Sequence, residues 1–83
     1  MASGANEANG DQGREFDTLT TRQLAVLRLI SSGLTNIQIA AQLHMSKYTV
    51  AQHIKEMFKR TGSINRADLV NRAHISGALH DER

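Results

Sequence analysis

Residues 35–61 read TNIQIAAQLHMSKYTVAQHIKEMFKRT, and two helical patterns share this stretch. The first opens at Thr35 with a T-x-x-Q capping box and extends to about Leu43. The second opens after Ser46, a residue type favoured as an N-cap, and continues to about Thr61. A short helix, a tight turn and a longer helix together form the layout of a helix-turn-helix.

Two more helical patterns flank this pair. The upstream one follows Thr20 with another T-x-x-Q capping box and stops at Gly33, a residue type common at left-handed helix ends. The downstream one follows Asn65 as its N-cap and continues to about Ser76. The chain has no proline, and its β-branched residues recur at helical rather than alternating spacing. We therefore predict an all-α, bundle-like domain of four helices, with the third helix as the recognition helix.

The same spacing predicts the core. The inward-facing residues are expected to be Leu24, Leu27, Ile30, Ile39, Ala40, Leu43, Val50, Ile54, Met57, Ala67, Val70 and Ala73, with Leu34 and Met45 filling the turns. About a dozen core side chains make a domain of this size only marginally stable. Ligand binding or self-association would therefore stabilise it.

Charge divides the chain into three parts. The protein has 83 residues and a net charge of +2. Residues 1–18 carry a net charge of −3 without apolar periodicity, which predicts a flexible acidic tail or linker. Residues 19–79 carry eight basic and two acidic side chains and form the predicted domain, and residues 80–83 form a C-terminal tail. A basic domain favours a polyanionic partner, although a solvated surface with excess charge explains the same count equally well.

Composition excludes several protein classes. Cysteine is absent, which rules out disulfides and cysteine-based zinc sites and favours a cytoplasmic protein. The longest apolar run, residues 24–30, is too short to span a membrane, and residues 1–13 do not resemble a secretory signal. The four histidines are His44, His53, His74 and His80. Their spacing is not that of metal ligands, and no catalytic pattern is present, so we expect no metal, no cofactor and no enzymatic activity.

The outer face predicted for the third helix carries groups that read DNA. The residues expected to reach base edges in the major groove are Lys47, Ala51, Gln52 and Lys55. Lysine donates to guanine, glutamine pairs with adenine, and alanine contacts the thymine methyl group. The N-termini of the second and third helices offer free N–H groups to phosphate oxygens. The expected phosphate contacts are Thr35, Ser46, Tyr48, Thr49, His53, Lys59, Arg60 and Arg66.

Plainer interpretations of these residues stay open at this point. The two lysines and Gln52 are also typical of a solvated helix face. Thr49 fits a helix cap as well as a phosphate contact, His53 fits a packing position, and Tyr48 could simply cover the turn. Helix pairs of this geometry also occur as ordinary packing.

A longer pattern contains these residues. Its positions are Leu19-Thr20-Thr21-Arg22, Val26-Leu27-Arg28-Leu29-Ile30, Gly33-Leu34-Thr35-Asn36, Ile39-Ala40, Leu43, Ser46, Thr49-Val50, His53, Lys59-Arg60 and Asn65-Arg66-Ala67-Asp68. The pattern covers residues 19–79 without a gap, and it resembles the LuxR/FixJ-type DNA-binding domain of bacterial transcription regulators. The resemblance implies a four-helix, sequence-specific DNA-binding domain of the LuxR/NarL/GerE kind in the bacterial nucleoid. It also implies a recognition helix in the major groove and a dimer on inverted or direct repeats.

Four positions depart from the common pattern of that family. Gln23 stands where Glu is usual, so an ion pair there becomes at most a neutral hydrogen bond. Ala51 replaces a common lysine and removes a base or phosphate contact. Glu56 would be repelled by phosphate unless it pairs with Arg60 at i+4. Thr61 replaces a usual leucine. These departures bear on base specificity rather than on the fold.

The family resemblance also predicts partners. The fourth helix supplies the dimer contact in the family, and the residues expected there are Leu69, Arg72, Ala73 and His74. Many members carry a regulatory domain upstream, which residues 1–18 are too short to hold. We therefore expect a stand-alone regulator or an excised C-terminal domain, with RNA polymerase as a further partner.

Two alternative functions belong to different classes. One is a protein-interaction module that heterodimerises with a regulator, or inhibits it, without binding DNA. Glu56 and the missing lysine at Ala51 favour that alternative slightly. The other is a chromosome-binding protein without sequence preference.

Overall fold

A computed structural model describes residues 15–79, which are helical and contain no strand. The helices are α1 (Thr21–Ser31), α2 (Asn36–Leu43), α3 (Lys47–Thr61) and α4 (Arg66–Ser76), preceded by helical residues 15–17. The all-α prediction is confirmed, and the helices lie where the capping patterns predicted them. Residues 1–14 and 80–83, which hold most of the two predicted tails, lie outside the described residues. None of the described helices has the length and hydropathy needed to cross a membrane.

Both predicted capping boxes are present. Thr20 Oγ1 accepts from the Gln23 N–H at 3.0 Å, while Gln23 Oε1 accepts from the Thr20 N–H at 3.0 Å. Thr35 and Gln38 repeat this exchange at the start of α2, at 3.2 and 2.8 Å. Each box satisfies two backbone N–H groups that a helix start leaves unpaired. Short-range sequence therefore determines where α1 and α2 begin.

Left-handed residues end the helices and tighten the turns. Gly33 has φ +90° just after α1, where its N–H donates to Ile30 O at 2.9 Å and the Leu34 N–H donates to Leu29 O at 3.1 Å. This pair of bonds is a Schellman motif, and its positive φ favours glycine. Between α2 and α3 the left-handed position is His44, with φ 56°. The two helices of the predicted helix-turn-helix are consequently joined by a very short turn.

The core is built on α3, which packs against both α1 and α2, while α4 packs against α1. The buried apolar residues are Phe16, Leu19, Val26, Leu27, Ile30, Ile39, Ala40, Val50, Ile54, Met57, Leu69, Ala73 and Leu79. The predicted core residues Leu24, Leu43 and Val70 are half-buried against this cluster, as are Leu34 and Met45. This arrangement fixes one face of α3 inside the domain.

The core differs from the prediction in both directions: Ala67 is exposed, and the buried residues that were not predicted are Phe16, Leu19, Val26, Leu69 and Leu79. Ala67 is exposed rather than buried, so the inward stripe of α4 is formed by Leu69 and Ala73. Phe16 was expected in the acidic tail, but only 3% of it is exposed, and it packs in the core with Leu19. The packed domain therefore begins upstream of the boundary predicted at Leu19.

Candidate nucleic-acid interface

Helix α3 has one buried and one exposed face. The buried positions are Val50, Ile54, Met57 and Thr61, which recur at helical spacing and lie against α1 and α2. The exposed positions are Lys47, Tyr48, Thr49, Ala51, Gln52, Lys55, Lys59 and Arg60. All four residues predicted to read bases are in this exposed set. Because Lys47, Ala51 and Lys55 are four residues apart, they line one side of the helix, with Gln52 beside them.

The start of α3 is held by two hydroxyl side chains. Ser46 Oγ accepts from the Thr49 N–H at 3.0 Å and lies 3.1 Å from Thr49 Oγ1. Thr49 therefore takes part in the cap, which is the plainer of its two predicted roles. The first N–H groups of a helix have no partner within it, so the exposed start of α3 presents donors to an anion.

Lys47 and Tyr48 lie together at this helix start. Lys47 Nζ is 5.5 Å from the centre of the Tyr48 ring, within the range of a cation–π contact. Tyr48 is 75% exposed. The pair presents a positive charge and an aromatic face on the same side as the base-reading positions.

The other predicted phosphate residues differ in their exposure and in their contacts within the domain. Lys59 and Thr35 are exposed, and His53 is half-buried. Arg60 Nε donates to Glu56 at 3.2 Å, and its Nη1 donates to the Thr18 carbonyl at 3.3 Å. Arg60 is exposed and uses two of its five N–H donors within the domain.

The guanidinium of Arg66 makes shorter hydrogen bonds within the domain than that of Arg60. Its Nη1 donates to Asn36 Oδ1 at 2.7 Å, and its Nη2 donates to the Leu34 carbonyl at 3.0 Å. Both ends of the guanidinium fork thus contact the start of α2. The sequence did not indicate Asn36 as a partner, because it lies 30 residues from Arg66 and no local pattern connects them.

Three of the four family departures have a structural counterpart. The Glu56–Arg60 pair expected at i+4 is present at 3.2 Å, so a guanidinium compensates the Glu56 carboxylate. Gln23 is 6% exposed and forms the neutral hydrogen bond of the capping box, in place of any ion pair. Thr61 is also buried, and its hydroxyl donates to the Met57 carbonyl at 2.8 Å. Each substituted polar group is thereby satisfied.

The predicted dimer face on α4 needs a correction. Leu69 and Ala73 are completely buried in the core, because this i, i+4 stripe packs towards α1. They are not available to a second chain. Arg72 is half-buried, with its Nε 3.0 Å from Asp68 Oδ2, while His74 is exposed. The outward side of α4 also includes Ile75, which is 75% exposed.

Asp68 anchors the start of α4. Asn65 Oδ1 accepts from the Asp68 N–H at 2.8 Å, and Asp68 Oδ2 accepts from the Ile64 N–H at 3.0 Å. The hydrogen bond from Ile64, helped by the bond and charge of Arg72, lowers the pKa of the Asp68 carboxyl below its ordinary value. The ionised carboxylate is therefore the form that suits the folded structure.

Within residues 15–79, no three His, Asp or Glu side chains are grouped so that they could hold a metal ion. The chemistry offered by the exposed α3 face is that of hydrogen-bond donors, positive charge and one aromatic ring. This combination suits contact with a polyanion that carries hydrogen-bonding edges.

Comparison with known proteins gives a consistent set of relatives. Residues 17–73 match the family described as bacterial regulatory proteins, luxR family. Over 62 residues the chain is 37% identical to the HTH-type transcriptional regulator AlkS of Alcanivorax borkumensis, which covers 75% of this chain and 7% of AlkS. Over 59 residues it is 39% identical to the response regulator RamR of Streptomyces coelicolor, covering 71% of this chain and 29% of RamR.

A third relative is more similar over a shorter stretch. The chain is 50% identical over 45 residues to the nitrate/nitrite response regulator protein homolog of Haemophilus influenzae, covering 54% of this chain and 22% of that protein. The chain thus spans less than a third of the length of each of these three curated relatives. No solved structure matches it significantly.

Proposed function

Since the chain belongs to the luxR family of bacterial regulatory proteins, we propose that it binds double-stranded DNA sequence-specifically as the effector part of a transcriptional regulator. The family resemblance expected from the sequence is confirmed, and the relatives include an HTH-type transcriptional regulator and a response regulator. In this proposal α3 enters the major groove, and its exposed face reads the bases.

One observation carries the proposal. Lys47, Ala51, Gln52 and Lys55 share the exposed face of α3, and the opposite face is fixed in the core. A helix held on one side by packing can present a fixed set of side chains to a groove about as wide as a helix. Lys59 and the N-termini of α2 and α3 then lie ready to contact phosphates on either side.

We also propose a dimer on two half-sites about one helical turn apart. The small core supports self-association, because a marginal domain gains stability by mass action when it pairs. The contact would use the outward side of α4, where His74 and Ile75 are exposed. Leu69 and Ala73 take no part in it.

A place in a longer regulator follows from the relatives. Because the chain matches less than a third of each of those proteins, we propose that it works when joined to a signal-receiving region. In this proposal RNA polymerase is the protein partner through which transcription from the bound DNA is regulated. The protein acts in the bacterial cytoplasm.

Salt dependence tests the DNA-binding part of the proposal. If six to eight phosphates are contacted, the affinity for a mixed-sequence duplex should fall with salt at a log–log slope of about −5 to −7. Fluorescence anisotropy of a labelled duplex between low and moderate salt measures this slope. An affinity that does not respond to salt would contradict the proposal.

The protein-interaction alternative predicts a different result in a pull-down. A module of that kind would retain a partner regulator in a pull-down but would not retain any duplex, even at low salt. The Glu56–Arg60 pair weakens one argument for it, since the carboxylate that seemed to oppose phosphate contact is compensated.

A further inference from the structure

Arg66 links two elements that otherwise make little contact. It is the first residue of α4, yet both terminal nitrogens of its guanidinium reach the start of α2, at 2.7 Å from Asn36 Oδ1 and 3.0 Å from the Leu34 carbonyl. Within residues 15–79, the hydrogen bonds between α4 and this segment all come from Arg66. The segment is the one that precedes and opens the first helix of the helix-turn-helix.

The two bonds of Arg66 point to a role within the domain. A guanidinium binds a phosphate best through two parallel N–H donors at the end of the fork. In Arg66 each terminal nitrogen donates to an oxygen of the chain, which uses two of the five guanidinium N–H groups, and the side chain is partly buried. Lys59, in contrast, is exposed on α3 and has no hydrogen-bond or ion-pair partner in the described part of the chain.

We infer that Arg66 is a positioning residue for DNA binding: its fork, closed on Asn36 and Leu34, fixes the N-terminus of α2 so that its N–H groups meet the DNA backbone. This inference rests on the proposed function. It assigns to Arg66 a role through Asn36, in place of the phosphate contact expected from the sequence. Lysine cannot substitute, because an ammonium is a point charge without the fork.

The effect of Arg66 on α2 can be measured without DNA. The Ile39 N–H donates to the Thr35 carbonyl at 2.9 Å in the first turn of α2, and the Val50 N–H donates to the Ser46 carbonyl at 3.1 Å at the same position in α3. In Arg66→Lys and Asn36→Ala, amide hydrogen exchange should become faster at Ile39 and stay unchanged at Val50. Equal exchange at Ile39 in wild type and both variants would overturn the inference.

The DNA measurement separates positioning from phosphate contact. With a duplex selected by the wild-type protein, Arg66→Lys and Arg66→Ala should both lower the affinity about tenfold, as expected when a charged hydrogen bond is lost. Their salt slope should equal that of wild type, whereas Lys59→Ala should make the slope about 1 less steep. The Asn36→Ala/Arg66→Ala double variant should lose less binding free energy for the duplex than the sum of the losses in the two single variants, because the two residues act as one unit.

Each contrary outcome has its own meaning. Wild-type affinity in Arg66→Lys, with a reduced slope in Arg66→Ala, would make Arg66 a phosphate contact and overturn the inference. If the wild-type protein binds no duplex, the proposed function fails. The exchange rate at Ile39 still decides whether the Arg66 bonds to Asn36 and Leu34 hold the start of α2 in place. If Arg66→Ala does not fold, as judged by circular dichroism, Arg66→Lys and Asn36→Ala decide the outcome.

Discussion

At the scale of single residues, the exposed face of α3 is short of one positive charge. Ala51 lies between Lys47 and Lys55 on that face, at a position where the family resemblance implies a common lysine. An alanine can contact a thymine methyl group but can neither donate a hydrogen bond nor neutralise a phosphate. In the proposed function, base reading is therefore assigned mainly to Lys47, Gln52 and Lys55.

Restoring a lysine at this position should strengthen binding. We expect Ala51→Lys to raise the affinity for a mixed-sequence duplex and to make the log–log salt slope steeper by about 1, because one more phosphate is neutralised. The matched control is Ala67→Lys, which adds the same charge at an exposed position of α4 beside Ile30 and Ser31 of α1. Equal slopes for the two variants in anisotropy titrations would show that Ala51 does not face the DNA.

At the scale of helices, the sequence predicts where each helix begins and ends. It predicts only in part which face of each helix is buried. Thr20, Thr35 and Asn65 fix their helix starts through partners three residues away, so a local pattern is enough to find them. The inward side of α4 was different, because its short sequence fits either a stripe through Ala67 or one through Leu69. Only packing against α1 decides between the two stripes.

The burial of Leu69 leads to a stability prediction. Leu69→Ala should lower the free energy of unfolding by about 2–5 kcal/mol, because it removes a completely buried side chain and leaves a cavity. Ile75→Ala, on the exposed side of the same helix, should change it by less than about 0.5 kcal/mol in the monomer. Urea unfolding at low protein concentration makes the comparison. Similar, small losses in both variants would put Leu69 at the surface.

The start of α4 should respond to pH through Asp68. Because its pKa is lowered in the folded protein, the carboxylate stabilises the fold above the ordinary carboxyl range, near pH 4, and this contribution disappears as the pH falls through the lowered value. The urea midpoint of Asp68→Asn should therefore lie below that of wild type at pH 7, and the difference should shrink in acid. A difference that persists or grows in acid would contradict this assignment.

At the scale of the whole molecule, local sequence predicts which residues lie on the exposed face of α3. It does not predict the long-range contacts that hold the surrounding helices in place. The exposed face of α3 follows from helical spacing alone, and all four predicted base-reading residues lie on it. Phe16 was missed because a single apolar side chain among polar neighbours gives no periodic signal. The Arg66–Asn36 contact was missed because it joins residues 30 positions apart. Long-range contacts of this kind depend on the packed fold.

The central claim is that the α3 face reads a DNA sequence. The most direct test is selection of duplexes from a randomised pool at moderate salt, with sequencing of those the protein retains. We expect enrichment of a repeated motif with half-sites about one helical turn apart, relaxed at the contacted bases by Gln52→Ala and Lys55→Ala but not by the exposed control Ser31→Ala. A retained pool without enrichment, or a motif that both α3 variants leave unchanged, would contradict the claim.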